Sequence, residues 1–129
     1  MGIAQQRRKL ITACKKWYKW WRKALFIPAY WTINLHVLDE VEQDTDWAMY
    51  TEYDNSYNWA DIKVQPNVKL EDVPWMMLHE MLHVLHARMT INEAERHVME
   101  STIQHLTSVI WALEQERQKL ADWEKARQV

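Results

Sequence analysis

The chain contains very few residues that break regular secondary structure. Its 129 residues include one glycine, Gly2, and three prolines. Between Glu93 and Arg127 there is neither a glycine nor a proline. Because helices usually end or bend at these residue types, the sequence predicts long helices joined by short loops. It predicts one helix of more than thirty residues over 93–127.

The first 25 residues are basic and amphipathic. They carry eight lysines and arginines and no acidic residue, whereas the rest of the chain carries eight basic and eighteen acidic residues. Leu10, Cys14, Trp17, Trp21 and Leu25 follow the spacing of one helical face. The plain interpretation is a helix whose tryptophans cover one face of a sheet while its lysines face water. The alternative is a surface for nucleic acid, another acidic partner or an anionic membrane.

The middle of the chain has the composition and alternation of β-strands. Residues 30–39 place Trp31, Ile33, Leu35 and Val37 on one side of an extended strand. Residues 47–54 and 57–64 predict two further strands, joined by a turn at Asn55-Ser56. We expect these strands to form a three-stranded antiparallel meander over residues 30–64.

Two helices are predicted after the sheet. Pro74 suits the first turn of a helix that is expected to run to about Met89. A turn around Asn92 then leads into the long C-terminal helix. Together these elements predict a helical hairpin over residues 73–127.

Cysteine content and hydropathy indicate the class of protein. Cys14 is the only cysteine, which excludes an intramolecular disulfide and a zinc site built from several cysteines. No segment has the features of a signal peptide or is long and apolar enough to span a membrane. We expect a cytoplasmic protein, a monomer, with residues 1–129 in a single domain.

A pair of histidines one helical turn apart lies in the first helix of the hairpin. The segment HEMLH places His79 and His83 on one side of the helix, where two imidazoles can supply two corners of a tetrahedral zinc site. Glu80 is turned by about 100° from His79, so it lies beside such an ion, where a base can take a proton from water. H-E-x-x-H also occurs by chance. Here, however, the neighbours are bulky and apolar, and burying three polar side chains among them is costly unless they find partners.

A catalytic zinc site needs a third protein ligand, which the next helix can supply. His86 lies seven residues beyond His79, about 10 Å along the helix axis, and is too distant to share one tetrahedral ion with it. A residue about eight positions beyond the turn at Asn92 returns to the level of His83, which favours Glu100. The alternatives nearer the turn are Glu93, Glu95 and His97. The predicted ligand set is His79, His83 and Glu100.

H-E-x-x-H followed by a glutamate on the next helix resembles the gluzincin metallopeptidases. Over residues 74–105 the pattern LHEMLHVLHARM…EAERHVMESTI is similar to the minigluzincins and to small metallopeptidases of phages and prophages. The resemblance implies a zincin-like α+β fold with a helix, a three-stranded sheet, an active-site helix and a glutamate helix in this order. Together with the antiparallel sheet predicted above, the fold expected for this chain begins with the basic N-terminal helix of residues 1–28, which has no counterpart that the resemblance identifies. It also implies that His79 and His83 bind zinc, that Glu80 is the general base and that a glutamate at or near position 100 completes the site.

The expected function is therefore that of a zinc-dependent endopeptidase acting on peptide or protein substrates. Zinc polarises the scissile carbonyl in such enzymes, and Glu80 would pass a proton to the leaving amine. An edge strand would align the substrate through backbone hydrogen bonds. The alternative is a zincin-like binding module without catalytic activity, which contacts nucleic acid or a protein through its basic helix. Glu80 argues against the alternative, because a purely structural zinc site does not need it.

Overall fold

A computed structural model describes residues 2–54, 57–87 and 93–128, with the backbone alone for residues 93–96. The elements in chain order are α1 (Ile3–Ala24), β1 (Thr32–Val37), β2 (Met49–Asp54), β3 (Trp59–Val64), a 3₁₀ turn (Leu70–Asp72), α2 (Val73–Leu85) and α3 (Glu93–Arg127). The predicted α+β class is confirmed: the described residues form three α-helices and a three-stranded mixed sheet. The turn predicted at Asn55-Ser56 lies outside the described residues.

The sheet has the strand order β1-β3-β2. β2 is antiparallel to β3, with Thr51 opposite Ile62, whereas β1 is parallel to β3, with Leu35 opposite Ile62. A meander would pair β1 with β2. The predicted antiparallel meander is therefore wrong for β1, although antiparallel pairing is right for β2 and β3.

β3 occupies the centre of the sheet because its inward face is the most completely buried. Ala60, Ile62 and Val64 are each 0% exposed. The inward residues of β1, by contrast, are only half-buried. In the central position, β3 pairs with a neighbouring strand along each of its edges. The burial of β3 by these long-range contacts outweighs the tendency of consecutive strands to pair.

The segment between β1 and β2 passes the end of β3, and a buried glutamine holds it there. Gln65 is 3% exposed. Its Oε1 accepts the backbone N–H of Glu42 at 3.0 Å, and its Nε2 donates to Thr45 Oγ1 at 3.0 Å. These bonds satisfy a buried amide and fix the crossing that the mixed topology requires.

α1 packs mainly against α2 and reaches the sheet at β1. Its predicted apolar stripe is buried at Leu10, Cys14 and Trp21, and burial raises the pKa of the Cys14 thiol to about 12. The indole Nε1 of Trp21 donates to the carbonyl oxygen of Pro74 at 2.8 Å, which ties α1 to the first turn of α2. The helix therefore covers α2 more than it covers the sheet.

α2 ends four residues earlier than predicted. Its last residue is Leu85 rather than Met89. His86 follows as the C-cap, and both its backbone N–H and its ring Nδ1 approach the carbonyl oxygen of Leu82, at 3.0 Å and 2.8 Å. The ring thus makes a second contact with a carbonyl of the last turn, where a histidine side chain stabilises the end of a helix.

α3 is the long helix that the absence of breaking residues predicts, with 35 residues. Its first half packs against α2 and buries Ile103 and Thr107. Its second half is largely exposed, including Leu120 and Trp123. In the described ranges, no helix combines the length and the apolar character that crossing a membrane requires.

α1 ends in a Schellman motif that has a phenylalanine where glycine is usual. The N–H of Phe26 donates to Lys23 O at 3.2 Å, and the N–H of Ile27 donates to Arg22 O at 3.1 Å. Phe26 has φ 55°, in the left-handed region, and its residue surface is 87% exposed. A β-carbon in this region costs about 1 kcal/mol of stability. The Phe26 ring is too exposed to offset this cost by packing.

We predict that Phe26→Gly stabilises the protein. Glycine adopts the left-handed conformation without strain, so the free energy of unfolding should rise by about 0.5–1 kcal/mol, measured by urea denaturation. Phe26→Ala is the matched control, since it removes the ring but keeps the β-carbon. Equal stabilisation by both variants would show that the exposed ring, and not the backbone, carries the cost.

Candidate metal centre

α2 places two imidazole rings side by side. His79 and His83 are one turn apart, and their Nε2 atoms approach each other to 3.2 Å. The ring centroids are 4.9 Å apart. The helix around them is apolar, with Met77, Leu78 and Met81 each 0% exposed. Two ring nitrogens with converging lone pairs in such surroundings need a shared proton or a cation.

α3 brings Glu100 to both histidines. Its Oε1 lies 3.1 Å from the Nε2 of His79, and its Oε2 lies 3.1 Å from the Nε2 of His83. The Glu100 side chain is 44% exposed and closes the open side of the histidine pair. The predicted site residues His79, His83 and Glu100 therefore meet in space, although α2 is shorter than expected.

The other candidates for a third ligand are placed differently. His86 directs its Nδ1 to the carbonyl oxygen of Leu82 and does not join the pair. His97 is exposed on α3. Glu93 and Glu95 fall in the first turn of α3, and their side chains lie outside the described part of the structure.

The spacing of the three groups fits a tetrahedral metal ion. Ligand atoms bound at 2.0–2.1 Å from zinc lie about 3.3 Å from one another. The contacts among His79, His83 and Glu100 are 3.1–3.2 Å. Two imidazoles with one carboxylate form a common zinc donor set that leaves the fourth position open.

Burial favours the neutral form of His83, which is the form that binds a metal ion. Burial lowers the pKa of this imidazole below its usual value; the carboxylate of Glu100 opposes the shift, while His79 adds to it. A neutral ring keeps the lone pair that a metal ion binds.

Glu80 lies beside the histidines in the interior. It is 5% exposed, and it offers a ligand atom within 4.8 Å of those of His79 and His83. Burial raises the pKa of its carboxyl to about 8, the charge of Glu100 adds to the rise, and the Thr51 hydroxyl opposes it. Yet both Glu80 Oε2 and Thr51 Oγ1 are buried without a hydrogen-bond partner, so the two are neighbours outside hydrogen-bond geometry. A cation at the histidines would favour the ionised form of Glu80.

Thr107 contacts the Nδ1 side of the His79 ring, opposite the Nε2 that faces Glu100. The sequence did not predict this contact. This buried residue of α3 donates its hydroxyl proton to Ile103 O at 2.7 Å. Its Oγ1 lies 3.4 Å from the Nδ1 of His79 and can therefore accept the Nδ1 proton. A proton on Nδ1 leaves the Nε2 lone pair free to face Glu100 and His83. The only signal in the sequence is the spacing of two helical turns between Glu100 and Thr107.

A cleft runs past these groups along β2. One part, of about 370 Å³, is lined by Ala48, Met49, Tyr50, Thr51, Trp75, Met76, His79, Glu80, His83 and Glu100. An adjoining part, of about 420 Å³, extends along β2 to Tyr53 and along α3 to Met99. β2 is an edge strand, and among the described residues no strand pairs with its outer side. The cleft therefore brings unpaired strand backbone next to the histidine–carboxylate group.

Comparison with known proteins does not identify a relative of this chain. The chain has no significant match among protein-family profiles, curated proteins or solved structures. What the site can do therefore follows from its own distances, burial and charges.

We predict that Glu100→Gln weakens zinc binding by at least about a hundredfold, because the amide lacks the negative charge and donates where a metal needs an acceptor. Competition with a chromophoric zinc chelator measures the affinity. Glu116→Gln, an exposed change on the same helix, should have no effect. If Glu93→Gln or Glu95→Gln strips the ion while Glu100→Gln retains it, the third ligand is the residue nearer the turn.

We also predict that Thr107→Val lowers zinc affinity about tenfold to a hundredfold with the fold intact, because the Nδ1–H of His79 loses its acceptor. Thr102→Val is the matched control, since the Thr102 hydroxyl also bonds a carbonyl one turn back, that of Val98, but its residue is exposed. The same chelator competition applies, with thermal melting to check the fold. Equal affinities of the two variants would remove Thr107 from the support of His79.

Proposed function

We propose that the protein is a zinc-dependent endopeptidase of gluzincin type with a zincin-like arrangement of its helices. His79, His83 and Glu100 would hold the ion, and Glu80 would act as the general base. The observation that carries the proposal is the approach of the two Nε2 atoms and the Glu100 carboxylate to 3.1–3.2 Å from one another on two packed helices. The H-E-x-x-H spacing in the sequence supports the same roles.

Zinc in such a site polarises a carbonyl group and lowers the pKa of water to about 7. The protein's own part begins with Glu80. Glu80 lines the cleft, and its carboxylate would accept a proton from water there. The same carboxyl group would then donate that proton to the nitrogen of the leaving amine. Thr51 lies beside the carboxylate, outside hydrogen-bond geometry.

The open edge of β2 is suited to hold an extended peptide. The cleft is lined by this strand together with His83 and Glu100. A peptide that adds to the edge would satisfy backbone groups on both chains and leave its side chains to pockets along the cleft. Tyr50, 44% exposed and in contact with Trp47 at 5.6 Å between ring centroids, would be available to a neighbouring side chain.

The burial of Glu80 favours catalysis over a purely structural site. A buried carboxylate oxygen without a partner destabilises the fold, by about 1–3 kcal/mol or more. A structural zinc site gains nothing from such a residue, since its ligands are sufficient to hold the ion. An unsatisfied acidic group next to a potential metal site is characteristic of active sites, where reactivity takes precedence over stability.

We predict that Glu80→Gln keeps zinc and fold but lowers proteolysis by about 10²–10⁴-fold, because the amide cannot take up the proton. Cleavage of a fluorescently quenched unfolded protein measures the activity, and chelator competition measures the bound zinc. Chelation should stop the wild type, and added zinc should restore it.

Glu116→Gln is the control, because Glu116 lies on the exposed half of α3, outside the cleft. Glu116 forms an exposed ion pair with Lys119, 3.3 Å away, and its loss should leave cleavage nearly unchanged. If the Glu80→Gln protein binds zinc and still cleaves at the wild-type rate, Glu80 is not the general base. A zinc-loaded wild type that cleaves no member of a broad peptide library would favour the non-catalytic module.

A further inference from the structure

A second groove lies between α1 and the exposed half of α3, and it shares no residue with the metal-site cleft. Its volume is about 420 Å³. It is lined by Lys16, Trp17, Lys19, Trp20, Lys23, Glu114, Arg117 and Gln118. The groove thus combines indole rings with basic side chains along one face of α1.

The charge of this groove is strongly positive. Four basic side chains face one acid, Glu114. That carboxylate is already occupied, because Arg117 binds both of its oxygens, at 2.7–3.1 Å. Within the described ranges, Lys16, Lys19 and Lys23 form no ion pair. Three lysines along one face of a helix without local counter-charge form a site for a polyanion.

The aromatic rings of the groove are held in place by packing. Trp17 stacks on Trp21 with ring centroids 5.8 Å apart and meets Trp111 edge-on at 6.0 Å. The Arg117 guanidinium lies 5.0 Å from the ring centroid of Trp20, and its bond to Glu114 fixes that contact. Trp20 is nevertheless 40% exposed. Because its orientation is already fixed, the Trp20 ring offers a flat surface for stacking and loses little side-chain entropy when a ligand binds.

We propose that this groove binds single-stranded nucleic acid, with a base stacked on Trp20 and the phosphates near Lys16, Lys19 and Lys23. An unpaired strand presents both features at once, since every base has a flat face and every linkage carries a charge. A duplex hides its bases from stacking. A membrane surface needs apolar side chains that protrude, whereas these rings line a concave groove.

Fluorescence anisotropy with a labelled oligothymidylate tests the proposal on the full chain. The wild type should bind at low salt, with an affinity that falls as salt rises. Exchange of all three lysines for glutamate (K16E, K19E and K23E) should lower the affinity tenfold or more. The charge-matched control (K69E, K119E and K125E) changes lysines outside the groove and should lower it much less.

The role of stacking is tested separately with Trp20→Ala. This variant should lose about tenfold in affinity for oligothymidylate and nothing for an abasic strand of equal charge. Lys19→Ala with Lys23→Ala, a milder pair, keeps the test valid if the triple reversal fails to fold by circular dichroism. Because the readout is binding, failure of proteolysis leaves the result unaffected.

Four outcomes would overturn the proposal. The first is that the wild type does not bind the oligothymidylate at low salt, and the second is that the groove variant and its control lose affinity equally. The third is that Trp20→Ala changes the affinity for the oligothymidylate and for the abasic strand alike. The fourth is that the protein binds phosphatidylserine vesicles but not the oligonucleotide. The last outcome would assign the groove to a membrane surface instead.

Discussion

The desolvation of three polar side chains on one central helix is the constraint on which the site depends. α2 contacts α1, α3 and β2, and its apolar residues are buried on nearly every side. His79, Glu80 and His83 therefore have little access to water and must find partners inside the protein. The surrounding elements supply some of these partners, and the geometry that results is that of the candidate metal centre.

Each neighbouring element contributes one part of this solution. α3 supplies the Glu100 carboxylate to the histidines and the Thr107 hydroxyl to the back of His79. β2 supplies Thr51 beside Glu80. α1 fixes the start of α2 through the indole of Trp21. The proposed chemistry thus needs the whole arrangement of helices and sheet, because no single element holds more than part of it.

Features that depend on local spacing could be predicted from the sequence. The i, i+4 relation of His79 and His83 is a property of any helix, and counting turns across the hairpin indicates Glu100. The count led to the residue that the structure places against both histidines, although α2 ends at Leu85, because the level of a residue in a hairpin depends on the whole connection and not on one boundary. The end at Leu85 was not predictable from breaking residues, since His86 caps the helix instead.

Features that depend on competition between distant partners could not be predicted in this way. The position of β3 follows from the burial of Ala60, Ile62 and Val64 and from the crossing held by Gln65, which no local pattern shows. Thr107 resembles any helical threonine bonded one turn back, and only the packing of α2 on α3 reveals its contact with His79.

The unbroken length of α3 has a mechanical consequence. Glu100 and Arg117 lie about 25 Å apart along this one helix, which contains no proline, glycine or other hinge. The helix therefore sets a fixed separation between the carboxylate at the histidines and the groove against α1. A single ligand that contacted both places at once would have to span about 25 Å.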